Sequence, residues 1–541
     1  MTKFMCGFNG IISKNNLPNI NFLNRSKKYI YNRGPDAFES CLYNKNKNNF
    51  YFNHARLSII DLNDSSNQPF KKEGYTLVFN GEIYNYNEIR EKLINRGANF
   101  LTKSDTEVIL ESFKAWGIKC LQKFIGMFAF VLHNIENDEL ILARDRAGVK
   151  PLYYYLDKNN IIFSSDQYAL KYLSRKHFDL NMHSVKRFFE IGYTDNNSTY
   201  LQGIQKVESG TFISIDLNTF EYDKNIYWNP LDFFNNKNQK SKSEILKSLE
   251  EILISSFDYR MVSDVPIGIF LSGGYDSSIL SAILKKKLNN DITCYTIGFE
   301  DSKYDESKYA KQVAKYLGVN HKNYICSFDD TKNLITKLVD VYDEPFGDNS
   351  AIPTLLVSKY ASNDVKVVLS ADGGDEIFAG YHKYLTALKV KKYIQMTPSI
   401  FKDNFNRIPN NLIAFIGNLL IKKKIHINHV EKLKSLITKK SLLDISNTLT
   451  SNPNKNIFND NFIFENIDFK MKGLNNLLCY DFKNYLESDI LKKVDRATMY
   501  YSIEGREPLL DHRIFEFMAG VEEKFKIYKG QKRISFKRNN S

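Results

Sequence analysis

Cysteine, tryptophan and proline are scarce in this chain: six, two and twelve among 541 residues. The cysteines, at positions 6, 41, 120, 294, 326 and 479, form no C-x-x-C pair and no regular spacing, which excludes a zinc ribbon and a disulfide framework. Long apolar runs are missing too. The longest, Phe124 to Leu132 and Leu412 to Ile421, are too short to cross a bilayer, and the opening Met1-Thr-Lys-Phe-Met-Cys-Gly7 holds no apolar core of a secretion signal. A cytoplasmic protein with no membrane partner is expected. Acidic residues number 62 against 75 Lys and Arg, a net charge of +13. Residues 383 to 440 hold thirteen of the basic residues against only Asp403 and Glu431, so eleven of the thirteen excess charges lie there. Leu433, Leu436, Ile437 and Leu442 are spaced among those lysines as on solvated faces of amphipathic helices. Without interleaved aromatics or an RNA-binding module, a nucleic-acid partner is disfavoured.

With 43% apolar residues, the chain has core material for several domains. Before residue 225 it reads as short strands between turns: Phe50 to Phe52, Tyr75 to Phe79, Met127 to His133, Glu139 to Ala143, Ile161 to Ser164 and Gly210 to Ile215. A polar run at 229 to 243 has no apolar period and predicts a linker, with a helical stripe from Ile245 to Phe257 behind it. Three uninterrupted apolar strands follow, Ile267 to Leu271, Thr293 to Phe299 and Val365 to Leu369. Such strands suit a parallel sheet covered on both faces, with ligands beyond the strand carboxyl ends.

Ser272-Gly-Gly-Tyr-Asp-Ser-Ser278 lies at one such end and opens a helix marked by Ile279, Leu280, Ile283 and Leu284. Free N–H groups of a first helical turn stabilise an anion, Gly273 and Gly274 let backbone approach phosphate, and Ser272, Ser277 and Ser278 add hydroxyls. Asp276 would repel bare phosphate unless a hard cation such as Mg2+ stood between them. No lysine of the Walker kind is present. The loop resembles that of ATP pyrophosphatases, which split ATP to AMP and pyrophosphate while adenylating a substrate. Ser370-Ala-Asp-Gly-Gly-Asp-Glu376 is a second acidic, glycine-rich turn after a strand.

Near the amino end, Cys6-Gly-Phe-Asn-Gly10 places a thiol where a freed α-amino group could act as its base, with pKa values near ~8 and ~8.5. Downstream stand Arg33-Gly-Pro-Asp36, His54-Ala-Arg-Leu-Ser-Ile-Ile-Asp61, Phe79-Asn-Gly-Glu-Ile-Tyr-Asn85, Ser104-Asp-Thr-Glu107, Gly126-Met-Phe-Ala-Phe130 and Ala143-Arg-Asp-Arg-Ala-Gly-Val-Lys-Pro-Leu152. Singly these read as turns, hairpin tips and caps. Together they resemble class II glutamine amidotransferases, N-terminal nucleophile hydrolases that release ammonia from glutamine. The resemblance implies that Cys6 attacks the amide and that Asn80 and the Gly81 N–H form the oxyanion hole. It implies glutamine binding by Arg56, Leu57, Ser58, Ile59, Ile60, Asn80, Gly81, Glu82 and Asp105. The family places Cys directly after the initiator Met, so a start at Met5 is expected.

An amidotransferase half joined to a pyrophosphatase half resembles glutamine-hydrolysing asparagine synthetases over nearly the whole chain. Further matches are Asp264-Val-Pro-Ile-Gly268, Asp343-Glu-Pro-Phe-Gly-Asp-Asn-Ser-Ala-Ile-Pro353, Asp495-Arg-Ala-Thr-Met499 and Glu504-Gly-Arg-Glu-Pro-Leu-Leu-Asp511. The implied architecture is multidomain α/β. An αββα glutaminase domain spans 6–219, and a doubly wound synthetase domain with helical additions spans 240–541. The implied substrates are glutamine, aspartate and ATP with Mg2+, giving asparagine, glutamate, AMP and pyrophosphate through a β-aspartyl-adenylate, and a homodimer is left open. By resemblance Leu271, Ser272, Gly273, Gly274, Asp276, Ser277, Ser278, Ile297, Ser370 and Ala371 bind ATP, Asp276 and Asp375 hold the metal, and Asp372 serves the adenylate step. Ammonia would need an internal passage between the halves. The family's catalytic lysine falls at about Lys532 or Arg533. The sequence from Arg533 to Ser541 departs from the family and reads as a frameshift. Two alternatives remain: amidation of another carboxylate, such as a uronic acid of a surface polysaccharide, and a truncated protein retaining only glutaminase activity.

Overall fold

The computed structural model describes residues 6–234, 239–301, 305–421, 427–451, 473–528 and 531–532, with the side chains of 416–421, 528 and 531–532 excepted. Residues 1–5, the Lys532 side chain and residues 533–541 therefore lie outside the described residues, and with them the expected start, lysine and frameshift.

Twelve strands build the first half: β1 (Gly7–Ser13), β2 (Ala37–Lys45), β3 (Asn48–Arg56), β4 (Phe70–Lys72), β5 (Tyr75–Ile83), β6 (Gly126–Asn134), β7 (Glu139–Arg144), β8 (Tyr153–Leu156), β9 (Asn160–Ser164), β10 (Gln205–Lys206), β11 (Thr211–Asp216) and β12 (Tyr222–Ile226). They form two six-stranded antiparallel sheets, ordered β10-β8-β9-β1-β3-β2 and β12-β11-β7-β6-β5-β4. The period of two decides how they stack. From β1, Phe8 and Ile12 meet Ala129 and Val131 of β6 between the sheets. The intervening Ile11 points outward onto Leu170 and Leu173 of the helix Gln167–Ser174. On β6, Phe128, Phe130 and Leu132 face the other way, onto Val108, Ile109 and Phe113 of the helix Asp105–Trp116. The layers are helix, sheet, sheet, helix, as the resemblance implied.

The helix Lys242–Arg260 opens the second half with a capping box in which Ser241 and Glu244 satisfy each other's backbone N–H. Five parallel strands follow: β13 (Ile267–Phe270), β14 (Thr293–Phe299), β15 (Asn320–Cys326), β16 (Val367–Leu369) and β17 (Glu504–Arg506), in the order β15-β14-β13-β16-β17. Leu280 and Leu284 of the helix Tyr275–Lys286 cover Ile269 on one face of the sheet. Val357 and Ala361 of the helix Ala351–Ala361 cover Val368 on the other. The strand order reverses at β13, so the loops after β13 and β16 flank a crevice at the switch point of a doubly wound sheet. The basic stretch forms helices, among them His382–Met396, Ser399–Arg407 and Ile427–Thr438.

Buried ion pairs join the halves. Arg33 meets Asp495 through two parallel bonds of 3.0 and 3.1 Å, Arg144 meets Glu487 at 2.6 Å, and Arg496, held at 2.6 Å by Asp343 of its own half, meets Asp166 at 3.7 Å.

Candidate active sites

Cys6 stands just ahead of β1, and its Sγ lies 3.4 Å from the Leu57 N–H and 3.5 Å from the Leu57 carbonyl. Burial pushes its thiol up to about 12, against a smaller opposing effect of the Leu57 backbone contact. A thiol so held needs a base at hand before it can attack. Leu57, Ile59 and Ile60 are buried after β3, while the Ser58 N–H donates to Asp36 at 2.9 Å. Arg56 donates to the carbonyls of Asn63 (2.8 Å), Ile60 (3.4 Å) and Asp61 and to Asn67 Oδ1 (2.8 Å). Its guanidinium thus shapes the loop, and a ligand carboxylate reaching its Nη groups would displace those carbonyls.

Asn80 and Gly81 lie in β5, opposite Ala129 and Phe128 of β6. Asn80 is 1% exposed, yet its Nδ2 has no hydrogen-bond partner. An orphaned buried donor marks a place for an absent acceptor. Gly81 sits at φ +138°, and an added Cβ would collide with the Met127 carbonyl, so glycine is required there. Glu82 Oε2 is likewise unpartnered, while Oε1 lies 3.3 Å from Arg506 of β17. Burial and the neighbouring Glu504 hold the Glu82 carboxyl well above the carboxylate range. Asp105 accepts the Ile83 N–H at 3.0 Å, and burial raises it to about 6.

The second site is a cavity of about 430 Å3 at the switch point. Leu271, Ser272, Gly274, Asp276, Ser277, Ile297, Ser370, Ala371, Asp372 and Asp375 all border it, which brings together most of the proposed ATP-site residues. Gly273 and Ser278 act behind the wall. Gly273, at φ +79°, packs so closely on Tyr309 and Ala310 that a Cβ would strike backbone, and the Ser278 hydroxyl donates to the Gly274 carbonyl at 2.7 Å. The Ser272 hydroxyl lies 3.0 Å from Ser277 Oγ and accepts the Gly274 N–H at 3.2 Å, which fixes the loop. A Cβ on Gly374 would lie 2.5 Å from Asp276 Oδ2, so the missing side chain seats Asp276 against the turn that carries Asp375. Two carboxylates at a phosphate-sized crevice suit Mg2+, which takes one or two of them together with substrate phosphates. No all-protein cluster of three or more ligands occurs among the described residues.

Sequence reasoning missed Lys493. It reaches the same cavity from the helix Lys492–Tyr500 and binds Asp348 at 3.0 Å and Ser350 at 2.9 Å. Despite the cost of burial, its charge is favoured by Asp372 and Asp348. No local pattern marks it, because its partners stand far away in the sequence. The two sites meet through an apolar cluster in which Cys6, Leu57, Ile59 and Ile60 touch Val367, Ile267 and Met499.

The profile of the asparagine synthase family matches residues 248–539, and that of a glutamine amidotransferase domain matches 5–228. A protein of Methanocaldococcus jannaschii named "Putative asparagine synthetase (glutamine-hydrolyzing) 2" is 34% identical over 441 residues, covering 78% of this chain and 84% of that protein. Asparagine synthetase (glutamine-hydrolyzing) 1 of Bacillus subtilis is 29% identical over 97% of this chain and 82% of its own length. A Gibberella zeae protein named amidase chry2 is 27% identical over 93% of this chain and 79% of its own. No helix among the described residues is long and apolar enough to cross a membrane. With a match over more than half its length, the chain belongs to the asparagine synthase family, as an enzyme that carries a glutamine amidotransferase domain ahead of its synthase domain.

Proposed function

We propose that the protein makes asparagine from aspartate and ATP with ammonia taken from glutamine, in two units at 6–219 and 240–541. The observation that carries this reading is the unpartnered Asn80 Nδ2 in the half that bears Cys6, joined by apolar contact to a half with a phosphate loop at its switch point.

In the first unit, the α-amino group of Cys6, freed by processing, takes the thiol proton, and sulfur attacks the glutamine amide carbon. Asn80 Nδ2 and the Gly81 N–H stabilise the oxyanion. Arg56 and the loop from Leu57 to Ile60 receive the glutamine carboxylate, and Asp105 with Glu82 receives its ammonium. Ammonia leaves with the proton returned to it, and water releases glutamate from the thioester. In the second unit, a carboxylate oxygen of aspartate attacks the α-phosphorus of ATP and expels pyrophosphate. Leu271, Ile297, Ser370 and Ala371 contact the nucleotide, and Ser272, Gly274, Ser277 and the first helical turn hold the leaving phosphates. Asp276 and Asp375 are the residues that would hold Mg2+, which would offset the charge of the departing pyrophosphate. Ammonia then displaces AMP, and Asp372 takes the proton that the attacking nitrogen sheds. Lys532 keeps the role the resemblance gives it, beside the adenylate.

Cys6→Ala tests the division: it should abolish glutamine-dependent asparagine formation and spare synthesis from ammonium salts. Equal loss of both would sink it. A relative named an amidase favours a second reading, in which the acceptor is another carboxylate such as a uronic acid. Amide formation compared between aspartate and sugar acids decides between the two.

A further inference from the structure

Four large apolar side chains stand out of the molecule where two of the basic helices meet. Tyr393 and Met396 on the helix His382–Met396, and Ile400 and Phe401 on the helix Ser399–Arg407, are each 69–71% exposed. Only Thr397, Pro398 and Ser399 separate Met396 from Ile400, so all four share this corner. The first helix already has its core face: Tyr384 and Ala387 are buried, and Leu388 and Ile394 pack against the same cluster. The second buries no side chain. Lys434 ties down its last turn, donating to the Asn406 carbonyl at 3.1 Å and to that of Ile408, and the first turn with Ile400 and Phe401 is left facing outward. Single exposed apolar residues need no explanation, but four adjoining ones mark an interaction surface.

The charge around the corner narrows the choice of partner. Positions 389, 392, 393 and 396 lie three and four apart, so the exposed Lys389 and Lys392 share a helix face with Tyr393 and Met396. Lys389, Lys391, Lys392, Lys402 and Arg407 form no salt bridge among the described residues, whereas Lys383 pairs with Asp481 at 2.8 Å. Asp403 is the single acidic residue between Glu376 and Glu431. A partner must therefore offer negative charge and also apolar depth. Nucleic acid offers the first, without the second for Met396 and Ile400. An anionic lipid surface offers both, phosphates for the lysines and the acyl boundary for the apolar side chains. The expectation of no membrane partner rested on the lack of a run long enough to cross, and a helix lying in the interface crosses nothing.

We propose that this corner docks the protein on an anionic lipid surface, with Tyr393, Met396, Ile400 and Phe401 in the headgroup layer and Lys389 and Lys392 against lipid phosphates. Docking of this kind is independent of which carboxylate is amidated. The full chain is spun with vesicles of phosphatidylglycerol and phosphatidylcholine, and the fraction pelleted is compared with that on phosphatidylcholine alone. Binding should need the anionic lipid and should fall as salt rises from about 0.1 to about 1 M, where the screening length shrinks from ~10 to ~3 Å. Lys389→Gln with Lys392→Gln should weaken it roughly 25-fold, roughly fivefold for each charge. Ile400→Ser with Phe401→Ser should weaken it about tenfold or more at an unchanged melting temperature. The emission of Phe401→Trp should shift to the blue on anionic vesicles, which reports entry of the side chain and not adsorption by charge alone. No pelleting with anionic vesicles at low salt, or full affinity in the serine variant, would overturn the proposal. So would blue emission from Phe401→Trp without vesicles, or a lowered melting temperature in the serine variant, since either means that another segment of this chain or a second copy covers the corner. Binding of a duplex DNA probe that the lysine variant loses and the serine variant keeps, with no binding to vesicles, would assign the corner to nucleic acid and overturn it too.

Discussion

Asn80→Ala separates a transition-state donor from a residue that merely fills space. In the folded chain Nδ2 is buried and bonds to nothing, so its removal breaks no hydrogen bond on Nδ2. Relief of an unsatisfied polar group, worth about 1–3 kcal/mol, offsets the packing lost with a few buried atoms. The melting temperature should therefore move little. Catalysis should move much more, because in the proposed function the donor acts only when the glutamine carbonyl becomes an oxyanion. Losing one such donor costs about 3–4 kcal/mol, or roughly 10²–10³ in kcat. Glutamate release measured over a range of glutamine concentrations should show that drop in kcat with KM nearly constant. Synthesis from ammonium salts should be untouched, which also controls for folding. A loss smaller than about tenfold, or a raised KM at intact kcat, would refute the assignment and make Asn80 a ground-state contact.

Asp276→Ala should remove Mg2+-dependent pyrophosphate release and leave glutaminase activity in place, since the carboxylate lies in the synthase cavity alone; a parallel loss of glutaminase would point to misfolding. Asp105 must be ionised to attract an ammonium group, so with its carboxyl raised to about 6 the glutamine KM should climb as pH falls through that value, and a flat KM down to about pH 5 would exclude the role. The same shift carries the opposite sign for stability: the folded state favours the protonated acid, so this contribution is present at low pH and is lost as pH rises from about 4 to 6. Asp495→Ala leaves buried Arg33 and Lys150 without their carboxylate and should cost about 3–5 kcal/mol in chemical denaturation; a change below about 1 kcal/mol would show that the halves do not depend on the pair.

Where the chain's chemistry is local, the sequence was readable. The strands at Tyr75–Ile83, Gly126–Asn134 and Glu139–Arg144 alternate between two cores and carry the apolar residues that reveal them. The loops after Phe270 and Leu369 announced themselves by glycines that the fold needs, at Gly273 and Gly373, both with positive φ. Edge strands were harder. Asn320–Cys326 is a polar, partly exposed edge strand with one neighbour, and Glu504–Arg506 at the other edge is buried yet charged, its Glu504 and Arg506 paired with each other at 2.6 Å, so neither shows the apolar run of a central strand. Lys493 was missed for another reason. Its partners Asp348 and Ser350 lie some 145 residues away, a separation that no local pattern encodes.

The motifs that carried the family resemblance turn out to do more than line active sites. Arg33, Arg144, Lys150, Asp343, Asp495, Arg496 and Arg506 all come from them, and all take part in buried ion pairs, most of which cross between the halves. Such pairs add little net stability, because desolvation consumes most of the Coulombic gain. What they supply is geometry, since a bidentate guanidinium–carboxylate pair is satisfied in one arrangement and broken in others. A wholly apolar interface could slide by an ångström at small cost. The apolar cluster around Cys6, Ile60, Val367 and Met499 is small, and the pairs surrounding it hold the two sheets in one register. The apolar contact that begins at Cys6 thereby reaches Val367 of β16, at whose end the phosphate crevice opens.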